Sequence, residues 1–333
     1  MAGAAELLHR RRHNPSPRPA QDAEVQPGQG AGQGLRVTTG GSAEGTSELE
    51  VGGVPLRVRI SGPADGVPVL LIHGIARSLE DWTEAQDLLA ASGHRVISTD
   101  LPGFGFSRRG KERPGLPAFG RAMAALLEAA GVTRPAHVVG NSLGGGVAMT
   151  LAVDHPGTVV SLTLVNSIGF GSDQHVSLAP MAYAALAGLP GLEKTFRPKT
   201  SEAGIALMQA NFFDPSFATP ERLREAGRLA KQRDYQATFL GTAATLGAPI
   251  VGIRAGWRRA LLARVRESGI PVLVIWGDAD KILPPTHYEA ARAELPDAQG
   301  HLFADTGHMP QIEKTAEFVD VVTEFIAKLE ATR

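Results

Sequence analysis

A serine hydroxyl becomes a useful nucleophile only when a positioned base takes its proton, and Ser142 is the residue whose setting suits that task. It stands in Gly140-Asn141-Ser142-Leu143-Gly144, directly after an apolar run at 137–139 and directly before a helical stretch at 143–155. A serine on a sharp strand-to-helix turn is held with its hydroxyl exposed, and small flanking residues let the turn close. The helix N-terminus behind it favours negative charge, which suits an oxyanion. The five-residue pattern alone is common. Its strand–turn–helix frame separates it from a tight turn with a serine helix cap.

Ten histidines compete for the role of base. His308, in Thr306-Gly307-His308-Met309-Pro310, follows the last strand and precedes the last helix, on the same edge as Ser142. His94 and His301 lie toward the opposite ends of their strands, His155 closes a helix, and His9, His13 and His175 fall in a tail or an insert. The base needs an acid to fix its tautomer and stabilise the imidazolium. Beyond the strand at 271–276 the chain reads Gly277-Asp278-Ala279-Asp280-Lys281-Ile282-Leu283-Pro284; Asp280 is the choice, with Asp278 as the competitor that shapes the turn. The order Ser142, Asp280, His308 is that of the nucleophile-elbow class. Two backbone N–H groups should face the oxyanion: that of Leu143, and that of Ile75 in the loop His73-Gly74-Ile75-Ala76-Arg77-Ser78. Such donors supply roughly 3–4 kcal/mol each. Gly74 is expected to let this loop turn sharply, and His73 to brace it.

The elements that must bring these loops together are legible from residue 49 onward. The segment 56–60 alternates apolar and basic residues, as a half-exposed strand does. The short continuous apolar runs at 69–72, 95–98, 137–139, 161–165, 271–276 and 301–304 predict strands buried on both faces. Helical stretches at 82–91, 119–130, 143–155 and 312–329 lie between or after them. The alternation predicts an α/β fold: a mainly parallel, doubly wound sheet of about eight strands with the functional loops along one edge. From 168 to 253 there is no clean buried strand, only helical pieces at 178–187, 202–211 and 221–246 with prolines between them. This predicts a helical lid inserted after the strand ending at Val165, with the core at 47–167 and 254–333. Residues 1–46 contain RRRHNPSPRP and QPGQGAGQG and predict a disordered tail. Arg10-Arg11-Arg12 lacks the apolar stretch an export signal needs behind it, so the expected location is cytoplasmic.

Composition narrows the chemistry further. The chain has no cysteine, which excludes disulfides, thiol catalysis and Cys-ligated metals. A net charge of −1 gives no global field to draw nucleic acid, and no apolar run approaches a membrane span. No P-loop or H-E-x-x-H is present, so neither cofactor nor metal is expected.

The segments HG at 73–74, DLPGFGFS at 100–107, GNSLGG at 140–145, WGDADKILP at 276–284 and GHMP at 307–310 resemble the α/β-hydrolase fold family over residues 49–331. The resemblance places the lid after the family's sixth strand. It implies structural roles for Asp100 and Ser107 and a pocket position for Phe104. Ser142 separates the chain from the haloalkane dehalogenases and epoxide hydrolases, which carry Asp there, and Asn166 after the sixth strand is no carboxylate, which supports Asp280. Met181, Phe212 and Phe213 of the lid, with Met309, are the further pocket candidates, making an apolar site. The expected activity is hydrolysis of a small to medium, largely apolar carboxylic ester through an acyl-enzyme on Ser142. Alternatives on the same residues are C–C bond hydrolysis, for which GNSLGG speaks and the loop 75–78 speaks against, thioester hydrolysis and cofactor-free perhydrolysis. A further alternative is a non-catalytic small-molecule receptor.

Overall fold

Strands whose side chains are apolar on both faces need cover on both faces, and the computed structural model, which describes residues 36–37, 45–171, 202–248 and 252–333, supplies it. The strands of the main sheet are β1 (Arg36–Val37), β2 (Thr46–Val51), β3 (Val54–Ser61), β4 (Val67–Ile72), β5 (His94–Thr99), β6 (Ala136–Asn141), β7 (Val159–Val165), β8 (Val272–Gly277) and β9 (Gln299–Phe303). They form one sheet in the order β1-β2-β3-β5-β4-β6-β7-β8-β9. Pairing is antiparallel from β1 through β3 to β5 and parallel across the rest. Gly52 and Gly53 join β2 to β3 with φ of +57° and +81°, the two left-handed residues that a tight hairpin turn requires.

The helices are α1 (Thr83–Ala91), α2 (Leu116–Ala129), α3 (Leu143–Asp154), α4 (Glu202–Gln209), α5 (Pro220–Leu229), α6 (Tyr235–Leu246), α7 (Ala255–Ser268), α8 (Thr286–Glu294) and α9 (Thr315–Glu330). The period-2 geometry of a strand sends Val69 and Leu71 to the face covered by α1 and α9, and Leu70 and Ile72 to the face covered by α2, α3 and α7. Each such fully buried side chain contributes roughly 1.5–3 kcal/mol. Helices α4, α5 and α6 lie in sequence between β7 and β8.

Several expectations need adjustment. Most of the predicted tail, and the helix predicted at 178–187, lie outside the described residues. Within that tail, Arg36–Val37 pairs antiparallel with β2, and Thr46 already belongs to β2. Backbone groups at a sheet edge accept any partner, so a two-residue strand leaves no apolar periodicity to read. The single helix predicted at 221–246 is two, because Lys231, Gln232, Arg233 and Asp234 include no apolar side chain to bury. Helix α7 was not anticipated, although Leu261, Leu262 and Val265 bury at helical spacing. The final helix begins at Thr315, after a separate short α-helix at Pro310–Glu313.

At the far end of the sheet from Ser142, His137 ties α9 to the core. Its Nδ1 accepts from the Ser161 hydroxyl (2.7 Å) and its Nε2–H donates to Glu330 (3.3 Å), the neutral tautomer that these partners select. Burial pushes the ring's pKa down from 6.5 to about 4. Below pH 6.5 the unfolded chain therefore binds a proton that the folded ring refuses until about 4, so stability falls as pH drops through that window. At about 1.4 kcal/mol per unit, the loss approaches roughly 3 kcal/mol. His137→Gln should remove this slope: urea unfolding of wild type should lose about 2–3 kcal/mol more than the variant between neutral pH and about pH 4. Identical pH slopes would contradict the assignment.

Candidate active site

Ser142 sits between β6 and α3 with φ +55° and ψ −115°, a strained conformation for a residue with a Cβ. Strain of this kind costs on the order of 1–3 kcal/mol and persists only where the surroundings enforce it. Here the Ser142 N–H donates to the Val165 carbonyl (3.0 Å), and the Ile168 N–H donates to the Ser142 carbonyl (3.2 Å), which pins the turn to the end of β7. A Cβ on Gly144 would overlap the Ile72 carbonyl, and one on Gly140 would overlap the Gly144 carbonyl, so both positions require glycine. Leu143 opens α3, and its N–H has no acceptor within the helix.

His308 Nδ1–H donates to Asp280 Oδ2 at 2.8 Å, with both residues almost fully buried. The carboxylate is fixed on every side. Its Oδ1 accepts from the Ile282 and Leu283 N–H groups (2.7 and 3.0 Å), and its Oδ2 also accepts from Asn166 Nδ2 (2.7 Å). Asp278 instead closes the turn, its N–H donating to Phe303 (3.0 Å) and its Oδ1 accepting from Thr306 N–H (3.4 Å). Asn141, beside Ser142, donates from Nδ2 to the His308 carbonyl (3.0 Å), so the serine turn and the histidine loop are joined directly.

The loop carrying Ile75 approaches the same place. A Cβ on Gly74 would lie 3.2 Å from Asn141 Oδ1 and 3.4 Å from Ser142 Cβ, so the loop backbone packs closely against the serine turn. The left-handed residue that turns the loop is Ala76, at φ +60°, and not Gly74 as expected. Ile75 precedes it in a turn closed by the Arg77 N–H on the Gly74 carbonyl (3.3 Å). His73 braces this loop: Nδ1–H donates to the Gly74 carbonyl (2.7 Å), and Nε2 accepts from the Leu101 N–H (2.9 Å). Burial holds its pKa below the usual imidazole value, in keeping with a neutral structural ring. Asp100 anchors the loop's far end by accepting from Leu79 N–H (2.8 Å), Phe106 N–H (2.8 Å) and Arg57 Nη1 (3.0 Å).

The pocket candidates divide. Phe212 and Met309 are buried together with Met208 and Ile312. Phe104 is fully buried in the core, its ring packed against His73, Phe119 and Tyr235, so it backs the loop as a core side chain. Phe213 is 44% exposed, and its backbone N–H donates to Glu313 (2.7 Å). Met181 lies outside the described residues. Three residues that sequence reasoning did not place at the site hold it together: Asn141, Asn166 and Glu313. Asn166 carried one signal, its position directly after a strand. Among the described residues, no group of three or more acidic or imidazole side chains is placed to hold a metal. No described helix is long and apolar enough to cross a membrane.

With the geometry in hand, similarity adds a family context. The profile described as alpha/beta hydrolase fold matches residues 67–315. The chain is 33% identical over 266 residues to a dihydrolipoyllysine-residue acetyltransferase component of an acetoin cleaving system from Cupriavidus necator, covering 79% of this chain but only 64% of that relative. It is 30% identical over 285 residues to Lipase 1 of Psychrobacter immobilis, covering 82% of this chain and 81% of the lipase. A solved meta-cleavage product hydrolase from Pseudomonas fluorescens is 25% identical with a TM-score of 0.68, covering 84% of this chain and 97% of that one.

Proposed function

Since the chain belongs to the α/β-hydrolase fold family, we propose that it is a serine hydrolase that cleaves a small to medium carboxylic ester through an acyl-enzyme on Ser142. In this reading Ser142 is the nucleophile. His308 takes its proton and returns it to the leaving alcohol, and Asp280 holds the imidazole with Nδ1 protonated so that Nε2 is free to act. The Ile75 and Leu143 N–H groups receive the oxyanion, and helices α4 to α6 act as a lid over an apolar acyl site. The observation that carries the proposal is the 2.8 Å His308–Asp280 bond tied through Asn141 to the strained serine turn.

A second reading, hydrolysis of a C–C bond in a ring-fission product, is favoured by the 28% identity over 300 residues to a 2-hydroxy-6-oxononadienedioate/2-hydroxy-6-oxononatrienedioate hydrolase from Pseudomonas. An acyl-chain-length panel of 4-nitrophenyl esters, run beside thioesters and a 2-hydroxy-6-oxo-dienoate, separates the two. The expected result is highest kcat/KM on a short or medium ester. A ring-fission compound turned over at least about tenfold faster would replace the ester assignment.

A further inference from the structure

Residues 211–213, just beyond α4, touch both loops that hold the acid and the base. The His308 N–H donates to the Asn211 carbonyl (2.8 Å), and Lys281 Nζ, next in chain to Asp280, donates to the Phe212 carbonyl (3.3 Å). Glu313 joins the two sides. Its Oε1 accepts from the Gly307 N–H (2.8 Å), one residue before His308, and its Oε2 accepts from the Phe213 N–H (2.7 Å). The fit has no slack, since a Cβ on Gly307 would lie 2.7 Å from both the Asn211 oxygen and the Phe213 nitrogen. The buried Phe212 ring, packed with Met208, Met309 and Ile312, anchors the same segment from inside. The two N–H groups meet different oxygens, so a carboxamide in the same place would turn its NH₂ toward one of them.

We propose that Glu313 is a positioning residue: by gripping the Gly307 and Phe213 N–H groups with one carboxylate, it makes the seating of residues 211–213 and the placement of His308 beside Asp280 a single event. The inference rests on the reading of His308 as general base. If residues 211–213 lift away, His308 loses its backbone acceptor and Glu313 loses the Phe213 N–H, so the imidazole is no longer held from that side. A catalytic group displaced by an ångström can cost on the order of 10²-fold in rate.

Glu313→Gln preserves shape but turns an NH₂ group toward one of the two N–H donors. With a 4-nitrophenyl ester, kcat should fall about 10- to 100-fold while KM stays within about threefold. Phosphonylation of Ser142 by a fluorophosphonate should slow in the same proportion. Glu324→Gln, on an exposed pair with Lys328, should leave all three unchanged. If kcat per titrated site in Glu313→Gln stays within about twofold of wild type and only Tm falls, Glu313 is a structural brace and the proposal is overturned. A variant too unstable to assay is replaced by amide exchange in the unaltered protein. There the Gly307 and Phe213 amides should open together, and protection differing by more than about tenfold overturns the coupling. Unaltered protein that neither hydrolyses esters nor takes the phosphonate label overturns the underlying serine-hydrolase reading, and this proposal with it.

Discussion

Replacing Ser142 by alanine should lower ester turnover on the order of 10⁵-fold, about 7 kcal/mol of transition-state stabilisation, with the fold intact. The size follows from the proposed mechanism, in which the hydroxyl is what the His308–Asp280 pair and the Ile75 and Leu143 N–H groups act on. The strained backbone supplies a control that separates activity from folding. At φ +55° both serine and alanine bear the cost of a Cβ, whereas glycine does not. Ser142→Gly should therefore be equally inactive yet more stable than wild type by about 1 kcal/mol, read from the urea midpoint. An inactive variant that is also less stable would mean that the turn is not strained in solution.

Asp280→Asn should cost roughly 10⁴-fold in kcat, whereas Asp278→Asn should stay within about threefold of wild type. The asymmetry comes from hydrogen-bond polarity. Asp280 Oδ1 receives two backbone N–H groups, and Oδ2 receives Asn166 Nδ2 and His308 Nδ1–H, so an amide NH₂ meets donors whichever way it is turned. When it takes the Oδ2 position it donates to Nδ1, which moves the imidazole proton to Nε2 and, on the proposed mechanism, leaves no base for Ser142. Asp278 receives one long bond from Thr306 and holds only the turn. Equal losses in the two variants, measured with one ester at saturating concentration, would remove Asp280 from its assigned role.

The sequence makes the strands legible because a doubly covered sheet demands continuous apolar runs, and Leu70, Leu71 and Ile72 answer that demand with zero exposure. It makes Ser142, Asp280 and His308 legible because each follows a strand on the same edge. What it hides are pairings across the chain. Asn166 meets Asp280 from 114 positions away, and Asn141 meets His308 from 167, and neither distance leaves a local pattern. Gly74 shows how a loop glycine invites the wrong reason: turning falls to Ala76, and the glycine packs closely on Asn141 and Ser142. Phe104 shows the reverse, since an aromatic ring beside a functional loop serves core packing as readily as a pocket.

The direct test of Ser142 as a covalent nucleophile is rapid acid quenching of the protein with a 4-nitrophenyl ester, followed by intact-mass and peptide-mapping measurements. An adduct of one acyl group on the peptide containing Ser142, formed in step with a burst of nitrophenol, is the predicted result. Steady turnover with no acylated Ser142 at any time, or with the acyl group on another residue, would contradict it.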